Sequence, residues 1–321
     1  MNALGLPPII QGGMGAAVSS WFLAQTVAKE GQMGVVSGTA LETVVARRLQ
    51  DGDHGGHMRE ALSHFPHQDV ARHMLDTFFL PEGRGGKPYR PMRRISIKAH
   101  AEHDALTAAA NFVEVWLAKQ AGTGKVGINF LEKLQTATPA ALYGAMLAGV
   151  DAILMGAGIP REIPQLMTDF AAGKSAGLTI DSDRPSGMDA PILEFDPAAV
   201  FGTAPEMPRP AFLAIVTAEV LASYLARSEV TRPDGFIVEH YLAGGHSAPP
   251  RRLQDTEHGY GPLDEANFGK IRDIGLPVIT LRYGDSSLAA GWLRLVGAGL
   301  GKAERGESLA RWFETRREAI G

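Results

Sequence analysis

The stretch Val238-Glu239-His240-Tyr241-Leu242-Ala243-Gly244-Gly245-His246-Ser247-Ala248-Pro249-Pro250-Arg251 gathers residue types that can do chemistry. Gly244 and Gly245 strip two successive side chains from the backbone, so a flat ligand can come within contact distance of the peptide. His246 follows them and can carry a proton near neutral pH. The run Gly235-Phe236-Ile237-Val238 ahead of them is short and apolar throughout, the pattern of a buried parallel strand. A strand end, a bare backbone and a proton carrier together describe a cofactor site rather than a turn.

Other apolar runs end in the same way. Pro8-Ile9-Ile10-Gln11 leads into Gly12-Gly13-Met14-Gly15, Gly34-Val35-Val36 into Ser37-Gly38-Thr39, and Val126-Gly127-Ile128 into Asn129. Ala152-Ile153-Leu154-Met155 leads into Gly156-Ala157-Gly158, and Phe212-Leu213-Ala214-Ile215-Val216 into Thr217. Helical patterns lie between them. Ser20 to Lys29 opens after Ser19, an N-cap candidate, and Thr138-Pro139 starts another with proline at the first helical position. Strands alternating with helices predict a parallel sheet. Six or seven such units favour an α/β fold of the (β/α)8 TIM-barrel type over a doubly wound sheet. Ligands of such a barrel sit at the carboxyl ends of the strands, where these glycines and polar residues fall.

Residues 1–321 read as a single TIM-barrel domain, with residues 51–125 as a helical insertion or lid after the second strand. Within that insertion Ala105 to Gln120 reads as an amphipathic helix, whose apolar face could pair with another subunit as a homodimer. His100 and His103 share a helical face without a third ligand in range and are expected to be solvated, so no metal is expected. Composition narrows the partners. A chain with 45% hydrophobic residues can bury a large core, and a formal net charge of -4 offers no basic surface for nucleic acid. There are no cysteines, hence no disulfide and no thiolate site. No apolar stretch is long enough to span a membrane, and the first residues lack a secretory signal. A cytoplasmic location is expected.

The opening Pro-Ile-Ile-Gln-Gly-Gly-Met-Gly, then Gly34-Val-Val-Ser-Gly-Thr-Ala, Gly127-Ile-Asn, and Val238-Glu followed by Ala243-Gly-Gly-His-Ser-Ala-Pro-Pro-Arg resemble the nitronate monooxygenase family of FMN-dependent TIM barrels. The likeness runs through most of residues 7–277 in consistent order. It implies that Gly13 and Met14 meet the flavin ring, that Asn129 hydrogen-bonds its edge, and that Gly244 and Gly245 lie along the cofactor. Glu239 stands where the family has a polar residue near the ring or ribityl chain. His246 matches the family's histidine at the reactive face, a base toward a nitroalkane or a donor to a nitronate oxygen. Such acid–base help is worth about 10²–10⁴-fold. Bound FMN would do the redox work, with O2 and a small molecule as the reactants. Plainer readings stand beside these. Gly12-Gly13 alone could be a tight turn, Asn129 a cap, and Glu239 a partner for Arg251 or Arg252.

The carboxyl end is atypical and falls short of the family's full pattern. Gly275-Leu276-Pro277 leads into a seventh strand, but the glycine-rich run and the Gly-Val-Gln-Val-Gly-Thr-like phosphate motif do not follow. Gly284 and Ser286 are the candidates for the phosphate site in their place. The alternatives are an FMN-barrel enoyl reductase that takes hydride from NAD(P)H, and a flavin-free barrel with a binding role only. Flavin reduction by NAD(P)H without any nitro compound separates the first alternative. Gly122-Thr-Gly-Lys125 is no P-loop, because Lys119 and Val126 occupy required positions.

Overall fold

Apolar runs without alternation build the sheet. In the computed structural model, β1 (Met33–Ser37), β2 (Lys125–Leu131), β3 (Ala152–Gly156), β6 (Ala211–Val216), β7 (Gly235–Glu239) and β8 (Val278–Leu281) form one parallel sheet in the order β1-β2-β3-β6-β7-β8. β4 (Ala176–Thr179) and β5 (Ile192–Phe195) make a separate antiparallel pair. The structure describes residues 4–93, 100–122, 124–180, 189–239, 270–281, 293–294, 297 and 302–320.

The first expected strand, Pro8–Gln11, is a single parallel bridge, Ile10 to Met33. Its main chain turns away at Gly12, and the Gln11 side chain continues the ladder by accepting from the Val35 N–H at 3.0 Å. This adds a seventh parallel position ahead of β1.

The two faces of the sheet pack differently. Val36, Ile128, Ile153, Phe212 and Phe236 share one core with the helices. Met33, Val35, Leu154, Leu213 and Ile237 pack on one another and on Leu6 in a second core, which no helical residue among the described residues joins. A parallel sheet must be covered on both faces. Among the described residues helices cover one face of the sheet, and strand side chains pack on one another on the other. The described residues thus form a mixed α/β fold built on a parallel sheet. A pairing that would close the sheet into a barrel is not among the described residues.

The helices with described bounds include α1 (Trp21–Lys29), α2 (Leu41–Gln50), α3 (His57–Ser63), α4 (Gln68–Phe78), α5 (Ala101–Lys119), α6 (Thr138–Leu147), α7 (Ile163–Ala171), α8 (Pro197–Phe201), α9 (Glu219–Ala226) and α10 (Ala303–Ile320). Ser19 does not cap α1. It is buried, and its hydroxyl accepts from Met14 N at 2.9 Å and donates to the Gly12 carbonyl at 3.1 Å. The first N–H of α1, on Trp21, is held instead by the Glu114 carboxylate of α5 at 3.0 Å.

α5 is the main departure from its sequence pattern. It is buried nearly all round, with α6 against it and α1, α2 and α3 packed on its other sides. The apolar face offered to another subunit is therefore occupied within the chain. His103 is buried rather than solvated, and burial lowers its pKa from the usual histidine value. His100 caps the helix by accepting from His103 N. Close helix contact explains one glycine. A Cβ on Gly144 of α6 would fall on the Ala108 carbonyl of α5. Gly144→Ala is expected to destabilise the protein by about 1–3 kcal/mol, because a backbone carbonyl cannot rotate out of the way. A urea denaturation midpoint indistinguishable from the parent would show that the helices separate freely.

Candidate functional site

The loops after the first strands bring Gly13, Met14 and Asn129 together at one end of the sheet. Ser37 ends β1 and is paired in register with Asn129 of β2. The Gly38 N–H donates to the Asn129 carbonyl at 2.8 Å. The Asn129 side chain reaches the loop that follows the Ile10 bridge, where its Nδ2 donates to the Gly13 carbonyl at 2.7 Å. A carbonyl can only accept, so this bond fixes the amide orientation. Oδ1 is left buried without a partner. Asn129 therefore presents a buried, unpartnered acceptor, and a group that completes that contact must bring an N–H or O–H.

Gly13 is required by packing as well as by any ligand. A Cβ there would stand 2.8 Å from the Asn129 Cβ, 2.8 Å from the Val36 carbonyl oxygen and 2.9 Å from Val35 Cγ1. Met14 beside it is half exposed, its N–H held by Ser19. The Ser37 hydroxyl donates to the Gly15 carbonyl, tying the same loop to β1. No role at the site was assigned from sequence to Ser37, to the Gln11 side chain or to Ser19, which was read only as a helix cap. Their only signal there is a small polar residue directly after an apolar run.

Backbone strain is concentrated at this end. Ala17, Ala40 and Ala157 hold φ values of +60°, +53° and +62°, a left-handed conformation that costs a residue with a Cβ about 1–2 kcal/mol. They lie in the loops after Ile10, β1 and β3, whereas a fourth, Asp53 at φ +46°, lies after α2. Strain retained in such loops points to a shape that is held for use.

Glu239 closes β7. Alternation puts it on the inner face, two residues beyond the inner-core Ile237. Burial alone pushes its carboxyl up to about 7, so it can take up and release a proton near neutrality. The sign for stability follows from an unfolded value of 4.5. The folded protein keeps this proton between 4.5 and about 7, so stability falls as pH rises through that window. The full shift bounds the effect at about 3 kcal/mol, reduced to roughly 1–2 kcal/mol by solvent over a half-buried group. Glu239→Gln is expected to be more stable than the parent by that amount at pH 8 and no more stable at pH 5. Equal differences at both pH values would contradict the assignment.

His246, Gly244, Gly245, Gly284 and Ser286 lie outside the described residues. Among the described residues no group of three or more metal-ligating side chains could hold a metal ion, and no helix is long and apolar enough to cross a membrane.

No protein-family model matches the chain, and no curated protein sequence does. A solved structure of nitroalkane oxidase from Streptomyces ansochromogenes is similar at a TM-score of 0.40 and 14% identity, over 91% of this chain. The chain spans 62% of that protein's length.

Proposed function

We propose that the protein is an FMN-dependent oxidoreductase that oxidises alkyl nitronates with O2, its cofactor held at the carboxyl ends of the strands. The observation that carries this is the Asn129 amide, clamped by Gly13 so that a buried acceptor faces a missing donor. The imide N–H of a flavin supplies such a donor on a flat edge, and the residues present fit it. Gly13, Met14 and Asn129 are assigned to the ring. Gly244 and Gly245 are assigned to its flank, Glu239 to its polar side, and Gly284 and Ser286 to the phosphate.

FMN, when bound, supplies the electron transfer between nitronate and oxygen. The chain's part is to fix the ring through Asn129 and to manage protons. His246 is assigned as the base toward a neutral nitroalkane, and Glu239, poised near neutrality, as the second proton carrier at the same mouth. The sequence motifs that resemble nitronate monooxygenases support the same reading.

Nitrite release and oxygen uptake with a preformed alkyl nitronate test the activity. Turnover is expected with nitronate alone. Reduction of the flavin by NAD(P)H under anaerobic conditions, with no nitronate turnover, would instead establish the enoyl reductase reading.

A further inference from the structure

Among the described residues three carboxylates are buried, those of Glu42, Asp53 and Glu114. Glu114 pairs with Arg48 and Asp53 with Arg59. Glu42, near the start of α2 and 5% exposed, has no cation beside it among the described residues. Its carboxylate accepts from the backbone N–H groups of Glu42 and Thr43 and from the Thr43 hydroxyl. Those donors occupy lone pairs but bring no counter-charge, and burial holds the carboxyl above the usual carboxylate range. A buried charge is ordinarily paired, so Glu42 is the exception that calls for a partner.

Glu42 lines a cavity of about 140 Å3 between the loop after β1 and the start of α6. Phe130, Leu131, Ala137 and Ala141 give it apolar walls. Leu134, also on the wall, is 46% exposed and marks the side open to solvent. The buried Thr138 hydroxyl lines it too, and donates to the Leu134 carbonyl at 3.1 Å. With its proton spent there, the Thr138 oxygen is left to accept. We propose that this cavity is a binding site for a small primary alkylammonium ion, with its nitrogen at Glu42 and its chain along Phe130, Leu134 and Ala141. The inference does not rest on the flavin reading. Chemistry sets the charge. An ammonium brings the missing counter-charge and three N–H donors, whereas an anion would set a second negative group against Glu42 in apolar surroundings. Size sets the length. An apolar cavity of about 150 Å3 holds benzene, so a chain of about four or five carbons with its nitrogen fills this one.

The test follows the melting temperature of the purified protein, near neutral pH, against rising concentrations of n-butylamine, 1-butanol and butyrate, from which each Kd is obtained. n-Butylamine is expected to bind at least about tenfold more tightly than 1-butanol, because its hydrogen bond to Glu42 is charge-assisted, and butyrate is expected not to bind. From ethylamine to n-pentylamine each methylene is expected to tighten binding by about fourfold. Glu42→Gln keeps an acceptor without the charge and is expected to bring n-butylamine to the level of 1-butanol. Ala141→Leu fills the space and is expected to abolish both, which separates the cavity from ammonium ions gathered at the surface. Should Ala141→Leu fail to fold, Ala137→Leu at the half-buried edge makes the same comparison.

A lysine side chain carries the same butylammonium group, so Nα-acetyl-lysine methylamide is titrated beside the free amines. Binding as tight as that of n-butylamine assigns the site to a lysine side chain, and weaker binding assigns it to a free amine. Both outcomes support the site. Equal affinity for n-butylamine and 1-butanol, or an unchanged n-butylamine affinity in Glu42→Gln, overturns the ammonium assignment. No rise in melting temperature with any amine shows a cavity that holds water alone and overturns the proposal entirely.

Discussion

Replacing Glu114 with alanine is expected to cost about 3–5 kcal/mol of folding stability, the usual cost of stripping one partner from a buried ion pair. Glu114 is completely buried in α5. Its carboxylate pairs with Arg48 of α2 and accepts from the Trp21 N–H, the first of α1. One side chain thus fastens three helices that pack behind β1 and β2. Alanine leaves the helix start of α1 without an acceptor and Arg48, 29% exposed on its side chain, without a counter-charge. Burial outweighs Arg48 and holds the Glu114 carboxyl above the usual carboxylate range. The acceptor atoms therefore matter more than the charge, and Glu114→Gln is expected to retain most of the stability. Urea denaturation with an unchanged slope checks both. An alanine variant within 1 kcal/mol of the parent would show that α1 and α2 are fastened elsewhere.

Asn129→Leu is expected to weaken FMN binding by about 10–100-fold. The change removes a buried acceptor worth about 1–3 kcal/mol to a donor placed against it. It also frees the Gly13 carbonyl, so the loop carrying Gly13 and Met14 loses its tie to β2. Stability measured without flavin separates the two effects. The lost Gly13 bond lowers it, whereas the missing acceptor shows only when FMN is present. An FMN affinity within twofold of the parent would remove Asn129 from the cofactor site.

The strands were legible because buried parallel strands are continuous apolar runs. Gly34-Val35-Val36 and Phe212 to Val216 fall within β1 and β6. The start of α6 was legible in Thr138-Pro139. α5 misled for a physical reason. Its Thr107, Asn111 and Glu114 give it a polar stripe in sequence, yet all three are buried because neighbouring helices cover that stripe too. Trp21 and Glu114 are 93 residues apart, so no local pattern could reveal the cap. The same holds at the site. Asn129 could be marked as an amide at a strand end, but which of its two atoms stays free depends on Gly13, 116 residues away. The proton affinity of Glu239 depends on burial, which its neighbours in sequence do not specify.

The central claim is that a flavin completes the acceptor left open by Asn129. The visible absorption spectrum of the purified protein, after equilibration with FMN and removal of the excess, tests it most directly. Flavin bands near one equivalent per chain, reduced in Asn129→Leu, are the expected result. A colourless parent protein would contradict the account.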